Sequence, residues 1–158
     1  MKKCLFTICL SSLLFIVTIQ ISSAGKKKKK KIKWYSYAKG IAAGKAEDKK
    51  IFLHFYADWC GYCKIMKNKT FKDASVVAYL NKNFISIKVN SDREKALAQK
   101  YRVRGLPTNW FLKETDEKIA SRPGYIPPSE MILYLKFIHT DSYQKMTLKN
   151  FSKNRNMQ

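Results

Sequence analysis

The sequence predicts an α/β domain, a central mixed β-sheet flanked by helices, and three observations lead there. Short apolar, β-branched or aromatic runs alternate with segments of helical spacing, and the series closes on a hairpin and a helix. The 158-residue length fits one domain able to bury a core. The composition, 46% hydrophobic and 13% aromatic, is that of a globular chain with basic decoration.

Taken in order, Trp34 to Lys49 has helical spacing, with Trp34, Tyr37, Ile41 and Ala42 near one face and Gly40 and Gly44 weakening it. Lys50 to Ala57 (KIFLHFYA) is a nearly continuous apolar run, the pattern of a strand buried on both faces. A helix follows from Cys60 to about Thr70, then another over Asp73 to Asn83, N-capped by Asp73 or Ser75. Phe84 to Asn90 reads as a strand and Arg93 to Tyr101 as a short helix. Arg104 to Leu112 gives a turn, a proline and an aromatic strand, with Glu117 to Arg122 as its hairpin partner. Pro127 to Thr140 is a closing helix with Pro128 and Ser129 in its first turn. Residues 141–158 read as a polar, lysine-rich, frayed tail.

The formal charge of +21 points by itself to nucleic acid, anionic lipid or an acidic protein. The N-terminus shifts that balance. Lys2 and Lys3 precede an apolar stretch ending in Ser-Ser-Ala, so residues 1–24 read as a secretory signal cleaved after Ala24, with an uncleaved membrane anchor as the competing reading. An exported, periplasmic or otherwise extracytoplasmic protein follows, membrane-anchored if the signal stays. Losing Lys2 and Lys3 leaves 30 basic against 11 acidic residues, still about +19. Residues 25–33 form a basic arm around the unbroken run Lys26 to Lys31, a self-repelling tether that could also meet an anionic membrane surface. Nucleic acid is not expected, because no recognisable nucleic-acid module follows. The domain proper is placed at 34–140.

Cys4 and Cys9 leave with the signal, so Cys60 and Cys63 remain. Structural zinc needs four ligands, and His54 and His139 lack paired spacing, so no metal is expected. A purely structural disulfide across so short a loop removes little unfolded-chain entropy. A working dithiol is the leading reading.

The stretches FYADWCGYCK (Phe55 to Lys64) and YRVRGLPTNWFL (Tyr101 to Leu112), with Gly124-Tyr125, resemble the thioredoxin superfamily over about Trp34 to Thr140. They look most like its exported members near the C-terminal domain of the transmembrane disulfide reductase. The resemblance implies a thioredoxin fold and a monomeric thiol-disulfide oxidoreductase that reduces protein disulfides and is recharged by a membrane electron donor. It implies no cofactor beyond a redox-active Cys60–Cys63 disulfide. Cys60, at a helix N-terminus that favours thiolate, is the implied nucleophile, and Cys63, one turn on, the resolving thiol. Pro107 is the implied cis-proline, and Trp59, Gly61, Tyr62, Leu106 and Pro107 make the substrate surface. Two positions depart from the family pattern. His54 stands where a buried acidic residue is usual and becomes the candidate proton acceptor, the alternative being a core histidine. Tyr62 replaces the proline before the second cysteine, and the Gly-Tyr pair resembles that of exported disulfide isomerases. Isomerase action, reduction of haem-attachment cysteines in cytochrome c assembly, and a non-catalytic binding or chaperone module remain alternatives.

Overall fold

A computed structural model describes residues 30–155. The proposed signal and Lys26 to Lys29 of the basic arm lie outside the described residues. No helix among those described is long and apolar enough to cross a membrane.

The elements run β1 (Trp34–Tyr35), α1 (Tyr37–Glu47), β2 (Ile51–Tyr56), α2 (Gly61–Asn68), α3 (Ala74–Asn83), β3 (Ile85–Asn90), α4 (Lys95–Lys100), β4 (Thr108–Leu112), β5 (Lys118–Pro123), α5 (Pro128–His139) and α6 (Leu148–Arg155). The sheet order is β1-β3-β2-β4-β5; β1, β3 and β2 are parallel, and β4 and β5 run antiparallel to their neighbours. This is the thioredoxin fold, a mixed five-stranded sheet in a single α/β domain.

Strand alternation divides β2 between two cores. Ile51, Leu53 and Phe55 join Ile85, Ile87, Val89 and Tyr101 on the face covered by α1 and α4. Phe52 points the other way, into a core with Phe111, Leu80 and Leu135 beneath α3 and α5. His54 stacks in line with Phe52 and Tyr56, which places it on that second face. The glycines of α1 prove to be packing devices. A Cβ on Gly40 would fall on Ile87, and one on Gly44 would sit 2.9 Å from Ile51 Cδ1, so α1 lies closer to the sheet than a side chain would allow.

Three boundaries differ from the sequence reading. Trp34 and Tyr35 do not start the first helix; they pair with Ser86 and Ile87 as an edge strand, and α1 begins at Tyr37. Contacts with the domain are also made from inside the expected arm. Ile32 is 7% exposed, the Lys33 N–H donates to Asn81 Oδ1 at 3.0 Å, and Asn81 Nδ2 donates to the Lys31 carbonyl at 2.9 Å. The expected frayed tail is structured as well: a 3₁₀ turn at Ser142–Gln144 leads to α6, where Phe151 packs 5.3 Å from Phe137. Tyr143, Met146, Leu148 and Phe151 supply an apolar face that the surrounding lysines mask in the sequence.

Asp73 is the N-cap of α3, accepting from the Ser75 and Val76 N–H groups at 2.9 and 3.0 Å. The cap ends a short 3₁₀ turn, Thr70–Lys72, whose Thr70 hydroxyl donates to the buried Ile126 carbonyl. That turn carries Phe71 against the β2 face at the level of His54.

Candidate active site

Strand β2 delivers the chain to the C-terminal edge of the sheet, where Ala57 to Cys60 turn into α2. Cys60 is the N-cap of α2, with extended backbone (φ −69°, ψ 109°), and its Sγ accepts the Cys63 N–H at 3.1 Å. A helix N-terminus has unsatisfied N–H groups and the positive end of the dipole, so a thiolate here is favoured. Cys60 and Cys63 are joined as a disulfide, with Cα atoms 5.2 Å apart. Both are nearly buried, at 4% and 5% exposure, and pack with Ala57, Tyr56 and Leu106.

Around this buried pair the surface is apolar and open. Trp59 is 70% exposed and Tyr62 64%, and a Cβ on Gly61 would meet nothing within 4 Å. Trp59 therefore stands out into solvent, oriented by its Nε1–H donating to Asp92 at 2.9 Å. The Leu106–Pro107 peptide is cis. Pro107 has no N–H, and its carbonyl accepts from the Gly124 N–H at 2.7 Å. The backbone groups of Leu106 are open, hydrogen-bonded by none of the described residues.

His54 is 2% exposed. Its ring lies 4.9 Å from Phe71 in an edge contact, stacks on Tyr56 at 6.1 Å, and meets Trp34 at 6.1 Å. Nδ1 is 2.8 Å from Asn109 Oδ1. The Asn109 amide nitrogen donates to the Arg122 carbonyl at 3.2 Å, so its oxygen faces His54 and can only accept. Nδ1 therefore carries the proton, and Nε2 keeps the lone pair of the neutral ring. Burial is the main cause that pushes the His54 pKa down to about 4; the Asn109 bond opposes it, and Lys88 adds to it.

Cys63 and His54 border one groove of about 480 Å³. Trp34, Tyr56 and Phe71 line it, and Lys31, Lys64, Lys67, Lys72, Lys88 and Asp58 complete its walls. Lys88 lies partly buried, 4.0 Å from the centre of the Tyr56 ring. A second cavity, of about 460 Å³, lies at the other end of β2 among Lys50, Lys82, Lys113 and His139, far from the dithiol. His139 is held there by the Tyr79 hydroxyl at 3.1 Å. Among the described residues no cluster of His, Cys, Asp or Glu is arranged to hold a metal ion.

The fold thus brings Cys60, Cys63, Trp59, Tyr62, Leu106 and Pro107 to one edge, with His54 beneath. Sequence reading missed Asn109, Lys88, and the pairing of Trp34 with Phe71. A usable sign was present for Asn109, a polar residue in an otherwise apolar strand two positions after Pro107. Trp34 and Phe71 offered none, because only the edge strand and the 3₁₀ turn bring them together.

A nearly buried dithiol at a helix N-terminus, on a mixed sheet beside a cis-proline turn, defines a class. The chain belongs to the thioredoxin-like domain family, whose profile matches residues 37–139. It is 37% identical over 90 residues to a thioredoxin of Mycoplasmoides gallisepticum, covering 56% of this chain and 84% of that protein. Over 74 residues it is 38% identical to the thiol:disulfide interchange protein DsbD of Photorhabdus laumondii, a match that covers 45% of this chain and 13% of that larger protein. The solved thioredoxin of Thermus thermophilus superposes with a TM-score of 0.63 at 28% identity, over 68% of this chain and 87% of that one. The protein is a thioredoxin-like thiol:disulfide oxidoreductase with a disulfide-bonded Cys60–Cys63 pair.

Proposed function

We propose that the protein is an exported reductant of protein disulfides, with Cys60 the attacking and Cys63 the resolving thiol. The observation that carries the assignment is the asymmetry of the pair. Cys60 caps α2, whereas Cys63 lies within the helix and borders the His54 groove.

The reduced Cys60 thiolate attacks one sulfur of a substrate disulfide; a mixed disulfide forms and the substrate's second sulfur leaves as thiolate. Cys63 then gives up its proton and attacks Cys60 Sγ. The Cys60–Cys63 bond forms, the mixed disulfide breaks, and the substrate's remaining thiolate is released. The substrate gains two electrons and two protons, and the protein ends in the oxidised form described above. A dithiol donor must reduce it again, and the similarity to a thiol:disulfide interchange protein favours a membrane-bound donor. The Cys60–Cys63 pair carries the electrons, and no other cofactor enters. Trp59, Gly61, Tyr62 and Leu106 form the contact surface, with the Leu106 backbone groups pairing to an extended substrate segment. Pro107 shapes this turn, with its own carbonyl already taken by Gly124.

His54 accepts the Cys63 proton at Nε2. A thiol near 8.5 passing its proton fully to an imidazole near 4 is uphill by about 6 kcal/mol. The transfer therefore accompanies sulfur attack instead of preceding it. Export rests on residues 1–24, and the arm at Lys26 to Lys31 supplies attraction to anionic membrane surfaces.

Trapping in cells tests the roles. Cys63→Ser should accumulate mixed disulfides through Cys60, and the double change Cys60→Ser, Cys63→Ser should accumulate none. Equal trapping by both variants would refute the assignment.

A further inference from the structure

The groove beside Cys63 has features that dithiol exchange by itself does not require. Its floor is aromatic, and five of its lining side chains are lysines. Asp58 is the one carboxylate in the lining, and it already meets Arg93 at 3.4 Å and the Asn90 amide at 3.2 Å. Lys31, Lys64, Lys67 and Lys72 make no ion pair with a carboxylate among the described residues. This positive charge is felt inside the groove. Burial lowers the Lys88 pKa and Lys67 lowers it further, while Lys88 in turn disfavours protonation of His54. The partly buried Lys88 carries a desolvation cost, and the exposed lysines around it concentrate positive charge at the rim of a half-buried aromatic floor. An anion that also brings an apolar group complements both the charge and the floor.

We propose that this groove docks an acidic segment of the substrate protein, an aromatic side chain flanked by carboxylates. This rests on the reductase reading and narrows its substrate class to disulfide proteins with such a segment near the disulfide. The aromatic ring packs against the paired Trp34 and Phe71, which meet edge to face at 5.1 Å, and the flanking carboxylates meet Lys64, Lys67 and Lys72. A volume of about 480 Å³ accommodates one aromatic side chain and its neighbours. Because Cys63 borders the same groove, its occupant lies beside the bond being exchanged, and this favours a substrate peptide over a lipid or a nucleic acid.

The test titrates the oxidised protein with the blocked hexapeptide Glu-Asp-Phe-Glu-Asp-Leu at low salt and follows the backbone amides by NMR. Binding should perturb Lys67, Phe71 and Lys72 and be about tenfold tighter than for Glu-Asp-Gly-Glu-Asp-Leu, which keeps the charge and lacks only the ring. The paired reversal Lys67→Glu, Lys72→Glu should weaken it by about tenfold or more. Lys45→Glu with Lys149→Glu, on α1 and α6, alters net charge equally and should cost less than about threefold. Perturbations elsewhere, equal binding of the two peptides, or equal losses in the two charge variants would each overturn the groove assignment. Insulin turnover by the unaltered protein separates the two readings. Turnover without peptide binding refutes the groove alone, and groove binding without turnover refutes the reductase while the docking site stands.

Discussion

Acid should destabilise this protein in large part through His54, and the size of that part follows from its burial. The folded-state pKa lies at about 4 against an ordinary 6.5. Between those values the unfolded chain binds a proton that the folded chain refuses, so stability falls as pH drops from 6.5 toward 4 and levels off below. Above 6.5 both states are neutral and the contribution vanishes. The full difference is about 3 kcal/mol, of which about 2.5 kcal/mol is reached by pH 4.5. Against a typical total of about 5–15 kcal/mol this is large. Urea unfolding of the parent and of His54→Gln at pH 7.0 and 4.5 isolates it, because the carboxylates titrate in both proteins. The parent should lose about 2.5 kcal/mol more than the variant over that interval. In a His139→Gln background His54 is the one remaining imidazole, and its NMR resonance should stay neutral to below pH 5. Parallel stability curves, or an imidazole midpoint near 6.5, would refute the desolvation argument.

Other outcomes follow from the same geometry. His54→Ala should slow resolution of a Cys60 mixed disulfide by about 100-fold and leave the first attack nearly unchanged; single-turnover kinetics would show it. That gap should persist at pH 5.5, where an ordinary histidine would already be charged, and His54→Asp should recover much of the rate. Deleting residues 26–30, which spares the Lys31 carbonyl held by Asn81, should leave the fold and insulin reduction intact while vesicle binding falls. Added salt should mimic that deletion in a vesicle co-sedimentation assay. Phe151→Ala removes a half-buried ring from Phe137 and should cost about 1–2 kcal/mol in urea unfolding; no change would mean α6 adds nothing to the core.

The sequence made the sheet and the dithiol readable because their signals are local. The run IFLHFY is apolar but for His54, the cysteines lie one helical turn apart, and Pro107 sits within a recognisable turn. Elements that depend on distant partners were not readable. Trp34 and Tyr35 have helical neighbours and become a strand only because β3 leaves an edge to fill. The apolar face of α6 is diluted by Lys149 and Lys153, so polarity hides a periodicity that Phe137 uses. His54 was singled out by position alone. Its tautomer depends on Asn109, placed opposite it by β2–β4 register, and its depressed basicity on burial among Trp34, Tyr56 and Phe71.

The two edges of the sheet carry a consequence for the company this protein keeps. On one side β1 is only two residues long. On the other, β5 carries Lys118 and Arg122 and ends in Pro123, which lacks the N–H a further strand would need. Short, charged or proline-blocked borders resist annealing to foreign strands. On the proposed reductase reading, the protein works among partly unfolded chains rich in such strands. The blunted borders keep such chains from being built into the sheet and leave the proposed contact surface of Trp59, Tyr62 and Leu106 free to meet, exchange and release an extended segment.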